Sequence, residues 1–327
     1  MKKPLTAFVA ATTFALGVAT GPIAHAQAAW PQKPVTIVVP FPAGGATDML
    51  ARALAATMQA QLGKTFVVDN RAGASGTIGA AQVARASADG HTLLVASLAP
   101  FSVAPHLIKN LPFDPRKDFD LLTVAVEAPN VLVVPAASPH KSFAEVIAFE
   151  KANPGRMTFA SSGNGASDHL TAELVWQQTG TRGVHVPYKG GAPAISDLLG
   201  NQVDASFQNV NAVLSQINAG KLRALVTTGD KRSPVLPNVP TLAESGLKNL
   251  SVYSWQGVAA PKGLPPELKQ KIHAALIAAL GDAKVKQKFA ELGLEVVGNT
   301  PEQFSAFQLA EYARWKKVIE TGKITAD

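Results

Sequence analysis

The sequence predicts an α/β protein with two units of mostly parallel strands and helices. Short β-branched runs alternate with segments of helical apolar spacing, and glycine-rich loops follow several of the strand-like runs. This alternation is typical of layered parallel sheets whose strands are connected by helices. A hydrophobic content of 47% over 327 residues also provides enough apolar side chains for sizeable cores in two domains.

The first unit is predicted near the N-terminus. Val35–Val39 is a β-branched run typical of a buried strand, and Ala46–Leu62 carries apolar side chains at a spacing close to 3.6 before Gly63. A strand over 66–68, a helix over 77–86 and a strand over 91–96 follow. This βαβαβ order predicts a parallel sheet.

The second unit repeats the alternation. Its predicted strands cover residues 131–134, 157–160, 184–186, 203–207 and 222–227, and its predicted helices cover residues 142–152, 167–179, 192–199 and 212–219. Three C-terminal helices are predicted over residues 266–280, 283–292 and 301–320. Open parallel sheets bind ligands at the carboxyl ends of their strands, so the loops after the strands are the candidate sites.

Composition excludes several functions. The chain contains no cysteine, which removes thiol catalysis, disulfide scaffolds and cysteine-ligated zinc or iron–sulfur centres. Its histidines lack metal-ligand spacing such as H-E-x-x-H. The 30 Lys and Arg residues outnumber the 23 Asp and Glu residues, but they are scattered. We therefore expect no metal, no other cofactor and no nucleic-acid partner.

Residues 1–26 are predicted to form a signal peptide. Lys2 and Lys3 precede a mostly apolar stretch, and an A-x-A cleavage site ends at Ala26. Cleavage after Ala26 would release an exported protein that has no cysteine for lipid attachment. An uncleaved anchor helix is the alternative, and Pro22 disfavours it.

The first candidate loop follows Val35–Val39. Gly44 and Gly45 allow a sharp turn just before the next helix. The N–H groups at a helix start, together with the helix dipole, favour an anion. The loop matches neither the P-loop nor the dinucleotide fingerprint. Two interpretations stay open, an anion site and a turn capped by Thr47 or Asp48.

The second candidate loop is small, polar and rich in glycine, and it follows the strand predicted over 157–160. Ser162, Asp168 and His169 are the residue types of a hydrolase triad, but the G-x-S-x-G elbow is absent. The alternative role of Asp168 and His169 is helix capping and hydrogen bonding. An exported serine hydrolase using Ser162 and His169 remains a competing hypothesis.

Two further loops place polar groups after strands. Gly190 and Gly191 precede a helix, next to Tyr188 and Lys189. Lys189 is either a partner for a ligand carboxylate or a solvated surface lysine. Asn209 follows the strand predicted over 203–207, where its side chain would bind a ligand or cap the next helix.

Motifs along the whole mature chain resemble the Bug/TctC family of periplasmic solute receptors, which serve tripartite tricarboxylate transporters. The resemblance is carried by Trp315 and by residues 30–34, 40–48, 70–76, 89–93, 113–119, 161–163, 185–191 and 236–241. The sequence departs from the family's pattern at Pro42 and over residues 206–208.

The resemblance implies a type II periplasmic-binding fold, with two lobes and a ligand cleft between them. Lobe 1 is expected over residues 27–128 plus 252–327 and lobe 2 over residues 129–251. The crossings between the lobes are expected near Ala128 and near residues 251–257. The loop 40–48 would hold one end of the ligand, and the loops 161–167 and 188–192 would approach from the other lobe.

The candidate ligand-binding residues lie in these loops and at neighbouring strand ends. They are Phe41, Ala43, Gly44, Gly45, Ala46, Asp48, Ser97, Ser162, Gly163, His169, Tyr188, Lys189, Gly190, Gly191, Ala192 and Asn209.

The resemblance also implies a function. A monomeric periplasmic receptor would capture a small organic anion by lobe closure and deliver it to membrane transporter subunits. Dicarboxylates, tricarboxylates, amino acids and aromatic acids all suit loops lined with amides. Such a receptor is not an enzyme. A receptor that passes its signal to a sensor kinase would share this ligand chemistry and stays open as an alternative.

Overall fold

The computed structural model describes residue 1 and residues 30–326. The predicted signal peptide, apart from Met1, and its cleavage site lie outside these residues. Strands and helices alternate along the described chain, which confirms the predicted α/β class. Across the described residues, no helix has both the length and the apolar character needed to cross a membrane.

The first unit has the predicted βαβαβ order. Its elements are β1 (Val35–Val39), α1 (Ala46–Leu62), β2 (Phe66–Asn70), α2 (Thr77–Ala84) and β3 (Thr92–Ser97). β1 lies between β2 and β3 and runs parallel to both. α1 ends at Gly63, whose φ of 65° is the left-handed conformation that glycine adopts readily.

Two short helical turns, Ala74–Gly76 before α2 and Ala99–Val103 after β3, complete the first unit, and α3 (Ala104–Leu107) follows the second turn. The remaining elements are β4 (Phe119–Pro135), α4 (Phe143–Ala152), β5 (Thr158–Ser161), α5 (Ser167–Thr179), β6 (Val184–Pro187), α6 (Gly191–Leu199), β7 (Ala205–Asn209), α7 (Val210–Asn218), β8 (Leu222–Thr227), β9 (Tyr253–Pro261), α8 (Pro266–Gly281), α9 (Ala283–Glu291), β10 (Glu295–Val296) and α10 (Pro301–Gly322).

The long strand β4 belongs to both sets of strands. Its residues up to Pro129 pair antiparallel with β9, and from Asn130 onward they pair with β7. The strand order is β2-β1-β3-β9-β4-β7-β5-β6, and β8 and β10 also pair with β4. The positions expected for the two crossings fall within β4 and at the start of β9.

Strand direction places the candidate loops at one location. β3 and β4 are each antiparallel to β9, so β1 and β3 run in the direction of β4. β7 is antiparallel to β4, and β5 and β6 share the direction of β7. The carboxyl ends of the two sets therefore point toward each other.

The pairing register shows where these ends meet. Ser97, the last residue of β3, and Val126 of β4 both pair with Gln256. Asn209, the last residue of β7, pairs with Asn130 of β4. The loops after both sets of strands therefore face each other across residues 126–130.

Apolar cores on both faces of the first sheet hold this geometry. Leu50 and Leu54 of α1 and Ile272 of α8 are fully buried on one face. Trp255 and Trp315 are fully buried in the core on the other face. The indole N–H groups of both tryptophans donate to Glu311, at 3.1 and 2.9 Å. Trp315, one of the family motif residues, is thus part of the core.

Candidate functional site

A buried carboxylate, that of Asp48 in the first turn of α1, holds the first loop. Its Oδ2 atom accepts hydrogen bonds from the Gly44 N–H and from Nε of Arg52, both at 2.9 Å. Its Oδ1 atom accepts from Nδ2 of Asn70 at 3.0 Å, and the same Nδ2 donates to the Phe41 carbonyl at 3.1 Å. The hydrogen bonds of Asp48 therefore hold the loop in its conformation.

The charge of Asp48 is compensated inside the loop. Burial raises the pKa of this carboxyl, but hydrogen bonds from Arg52, Gly44 and Asn70 outweigh burial and hold the pKa below its ordinary value. The carboxylate is ionised at neutral pH and its charge is paired with Arg52. An anion bound at the loop therefore meets little uncompensated negative charge.

The start of α1 remains open. Gly45 is the N-cap residue and has no side chain to cap the helix, while the Asp48 carboxylate accepts from the Gly44 N–H of the turn. The Gly44 N–H, expected to bind a ligand, is already bonded to Asp48. The N–H groups of Gly45 and Ala46 lie at the first turn, where a helix offers no intrahelical partners.

The second loop is organised around Asp168, which is buried at the start of α5. Its Oδ2 atom accepts from the N–H and the hydroxyl of Ser162, at 2.7 and 2.6 Å, and from Nε2 of Gln208 at 3.3 Å. Its Oδ1 atom accepts from the His169 N–H at 2.8 Å. Burial raises the pKa of Asp168 in spite of these hydrogen bonds.

These contacts do not form the hydrolase arrangement. The Ser162 hydroxyl donates to Asp168, whereas Nδ1 of His169 accepts from the Gly165 N–H at 3.1 Å. The other ring nitrogen of His169 lies 3.7 Å from Oε1 of Glu173. Serine hydrolysis requires the serine hydroxyl to be hydrogen-bonded to the imidazole that takes its proton. Asp168 and His169 instead have the structural role that the sequence left open.

The third loop packs on the second. The Tyr188 N–H donates to the Ser161 carbonyl and the Gly190 N–H to the Ser162 carbonyl, both at 3.0 Å. The Tyr188 hydroxyl donates to Oδ2 of Asp197 at 2.7 Å, and the side chain of Lys189 is exposed. The two loops therefore form one surface.

That surface keeps few of its expected donors for a ligand. The N–H groups of Ser162 and Gly163 bond to side chains of the same loop, Asp168 and Ser161. α6 starts after Gly190, which has a φ of 114° and provides no side-chain cap. The N–H groups at Gly191 and Ala192 therefore form the open helix start on this side of the cleft.

At the facing strand ends, the N-cap residues of the helices provide no side-chain cap. This holds for α1, α2, α5, α6 and α7, and it also holds for α8, which follows the antiparallel strand β9. The N-cap residues of α4, α9 and α10 are Ser142, Asp282 and Thr300, whose side chains accept hydrogen bonds from the first turn. Uncapped starts favour anions.

The remaining candidates lie at strand ends. Asn209 donates to Oδ1 of Asn130 at 3.1 Å, and Nδ2 of Asn130 donates to Thr171 at 2.9 Å. Asn209 therefore ties the end of β7 to the middle of β4. Ser97 lies beside Gln256, a buried side chain whose Oε1 atom has no hydrogen-bond partner.

Sequence reasoning missed several residues that organise the site. Asn70 lies within a family motif and Gln208 within the departure from the family's pattern, so the sequence offered a reason to select both residues. Arg52 has the sequence context of an ordinary exposed helix residue. Nothing in the sequence around Asn130 indicates its role, because its partners Thr171 and Thr228 are 41 and 98 residues away.

Comparison with known proteins decides the family. Residues 50–324 match the model of the tripartite tricarboxylate transporter family receptor, TctC. The chain belongs to this family. The predicted TctC membership is thereby confirmed.

Three solved structures of similar proteins cover nearly the whole chain. The periplasmic binding protein BugD is 38% identical with a TM-score of 0.83, covering 90% of this chain and 99% of BugD. Rpa4515 of R. palustris, solved with adipate, is 37% identical with a TM-score of 0.85, covering 91% and 99%. MatC from Rhodopseudomonas palustris, solved with bound malate, is 32% identical with a TM-score of 0.82, covering 89% and 100%. The predicted periplasmic-binding-protein fold is confirmed.

Proposed function

We propose that the protein is a periplasmic receptor that binds a small organic carboxylate between two lobes and delivers it to a tripartite tricarboxylate-type transporter. The observation that carries the proposal is that helix starts without a side-chain cap, after Gly45 and Gly190, follow two opposed sets of strands whose carboxyl ends point toward each other. Neutral N–H donors on both sides of a cleft suit a ligand with acceptor oxygens at its ends. Adipate and malate, the ligands of two solved relatives, are such dicarboxylates.

The proposed lobes are residues 27–128 plus 252–327 and residues 129–251. The change of β4 pairing from β9 to β7 between Pro129 and Asn130 supports this division. In our proposal the N–H groups of Gly45 and Ala46 bind one carboxylate. Gly191 and Ala192 bind the ligand from lobe 2, and Asp48 and Asp168 hold the two loops in shape.

Closure of the lobes would bring these donors together around the ligand. A closed cleft excludes water, which strengthens each hydrogen bond to the ligand. The ligand then shifts the population toward the closed form, and a membrane subunit can recognise that form. A dissociation constant near 1 μM, about −8 kcal/mol, is sufficient for such a receptor.

Calorimetry on the first loop tests the proposed site. Gly45 has a φ of −80°, and an added Cβ would come no closer than 4.0 Å to its nearest neighbour, the Pro42 carbonyl. Gly45→Val is therefore expected to fold normally while its side chain obstructs the N–H groups. We expect at least a tenfold loss of affinity for the tightest ligand of a carboxylate panel. Gly281→Val, in open space at the end of α8, is the matched control.

Two results would contradict the proposal. An absence of thermal stabilisation of the wild-type protein by dicarboxylates, tricarboxylates, amino acids and aromatic acids would remove the function. Unchanged affinity in Gly45→Val would remove the first-loop site.

A cell assay tests delivery to the transporter. Deleting the receptor should abolish uptake of the radiolabelled ligand, and restoring the full chain should recover it. Unchanged uptake together with loss of a ligand-induced transcriptional response would identify a sensing receptor and contradict delivery.

A further inference from the structure

We infer that lobe 2 contains a donor-binding subsite formed by Oγ of Ser162 and Oε1 of Gln208, which selects carboxylates that also carry an O–H or N–H donor. The inference rests on the proposed function and narrows its substrate class to hydroxy acids and amino acids.

Both oxygens lie beside Gly191, at the open start of α6. A Cβ atom added to Gly191 would lie 3.2 Å from Oγ of Ser162 and 3.4 Å from Oε1 of Gln208. Because glycine has no side chain, the space beside both oxygens stays open. The backbone at Gly191 does not have a positive φ, so conformational freedom does not require glycine there.

The hydrogen bonds of Gln208 fix the orientation of its amide. Ser206 donates its only hydroxyl proton to the Ala160 carbonyl at 2.6 Å, so its Oγ atom accepts from Gln208, 2.8 Å away. The Asp168 carboxylate also accepts from Gln208. Because both neighbours are acceptors, the amide NH₂ group faces them and Oε1 faces Gly191.

The hydrogen bonds of Ser162 likewise fix the direction of its hydroxyl proton. Its hydroxyl proton is directed to Oδ2 of Asp168 at 2.6 Å. A hydroxyl has one proton and two acceptor positions, so Oγ of Ser162 presents lone pairs to any further partner. Two acceptor oxygens therefore border one point, and neither has a proton left to donate to a ligand carboxylate.

The electrostatic setting favours the same ligand class. Behind both oxygens lies the buried Asp168 carboxylate, whose hydrogen bonds come from Ser162, His169 and Gln208. Such a carboxylate, held by neutral donors, contributes negative potential at the subsite. A ligand O–H or ammonium would be attracted to these two oxygens, whereas a carboxylate oxygen directed at them, and not at the N–H groups of Gly191 and Ala192, would be repelled.

Matched ligands provide the test. Succinate, malate and aspartate share a four-carbon dicarboxylate skeleton and differ at C2, which bears no donor, a hydroxyl or an ammonium. Glutarate, 2-hydroxyglutarate and glutamate form a second series one carbon longer. In calorimetry at pH 7 and fixed ionic strength, we expect at least one donor-bearing member of a series to bind at least tenfold more tightly than its donor-free member. Tighter binding of the hydroxy acid would identify the donor as a hydroxyl, and tighter binding of the amino acid would identify it as an ammonium.

Two variants locate the preference. Gln208→Met removes the amide oxygen with little change in size, and Gly191→Ala places a methyl group beside both oxygens. Each is expected to bring the affinity ratio within a series to about threefold or less. Gly200→Ala, at the other end of α6, is the matched control and should keep the ratio. Circular dichroism and thermal melts check that each variant folds, and Gly191→Ala suffices if Gln208→Met does not.

The possible failures are distinguishable. If the wild type binds carboxylates but binds succinate and glutarate as tightly as their donor-bearing partners, the donor subsite is wrong and the proposed function stands. If folded Gln208→Met and Gly191→Ala keep the wild-type affinity ratio between donor-bearing and donor-free ligands, the subsite is also wrong. If no carboxylate of either series or of the wider panel binds the wild type, the proposed function itself fails.

Discussion

At the residue scale, two buried aspartates explain why few of the polar groups in the candidate loops remain available to a ligand. Asp48 uses the Gly44 N–H, and Asp168 uses both the N–H and the hydroxyl of Ser162. Each aspartate lies in the first turn of the helix that follows its loop. The loops are therefore shaped before a ligand arrives, which lowers the entropic cost of binding.

Replacing Asp48 tests this role. Asp48→Ala leaves Gly44, Arg52 and Asn70 without their shared acceptor, so we expect a loss of about 1–3 kcal/mol in the free energy of unfolding. Affinity for the tightest carboxylate should fall about tenfold, because the loop loses its shape. Urea denaturation and calorimetry measure the two effects.

A nearby carboxylate provides the control for Asp48. Asp69→Ala removes a side chain on β2 whose ion pair, with Arg71, joins two partly exposed groups. Surface pairs of this kind contribute at most about 1 kcal/mol. If Asp69→Ala and Asp48→Ala lowered affinity equally, the positioning role of Asp48 would be refuted.

The sequence predicted where the candidate loops lie but not how their donors are used. Glycines between a strand-like run and a helical pattern are visible along the chain, and they located the loops at Gly44, Gly163 and Gly190. Whether a given N–H is free depends on side chains that the fold brings close. Gln208, for example, is 40 residues from Asp168.

At the element scale, the helices were predicted more completely than the two central strands. α1 and α5 have the predicted bounds because their apolar spacing and terminal glycines are local signals. β9 was predicted only as a crossing. Gly257 in its interior disfavours a strand by propensity, yet its missing side chain leaves room for the Phe304 ring, which a Cβ would approach to 2.5 Å. That packing is set by α10, far along the chain.

A stacked histidine pair connects β6 to α5. The rings of His169 and His185 are nearly parallel, with an interplanar angle of 5° and centroids 3.6 Å apart. Nε2 of His185 lies 2.5 Å from Oγ of Ser161, which also accepts from the Gly163 N–H. Burial, with a smaller effect from His169, lowers the pKa of His185 from 6.5 to about 3. The surroundings of His185 therefore favour the neutral form of its ring.

This arrangement predicts a pH dependence of stability. The folded pKa of His185 is depressed, so its contribution is complete above pH 6.5 and is lost as the pH falls toward about 3. Between pH 7 and pH 5 we expect the wild type to lose about 1 kcal/mol more unfolding free energy than His185→Gln, after allowance for solvent screening. Urea denaturation at both pH values measures the difference.

The choice of glutamine isolates the titration. His185→Gln offers Ser161 a hydrogen-bonding partner without a titrating ring, while Asp168 and Glu173 beside His169 are present in both proteins. His140→Gln, at a ring that packs on Phe149, is the control. Equal pH slopes for the wild type and His185→Gln would show that the pair does not couple folding to protons.

At the scale of the whole molecule, the shared strand β4 joins two opposed sets of strands into one sheet. Composition and periodicity predicted two α/β units but did not decide whether they lie side by side or are interwoven. The family resemblance predicted the crossings at positions that fall within β4 and at the start of β9. Local pattern was insufficient because the pairing of β9 with β3 and β4 spans more than 100 residues.

Closure of the two proposed lobes can be measured because the natural sequence has no cysteine. Cysteines introduced at two exposed positions, Ala72 in the loop after β2 and Ser196 on α6, would be the only thiols available for spin labels. Pulsed electron paramagnetic resonance should show a shorter distance between the labels when the tightest ligand of the carboxylate panel saturates the protein. The reason is that hinged closure brings the rims of the two lobes together. Labels at Ser196 and Lys221, both within the proposed lobe 2, should show no change. An unchanged Ala72–Ser196 distance with ligand bound would contradict the proposed lobe closure.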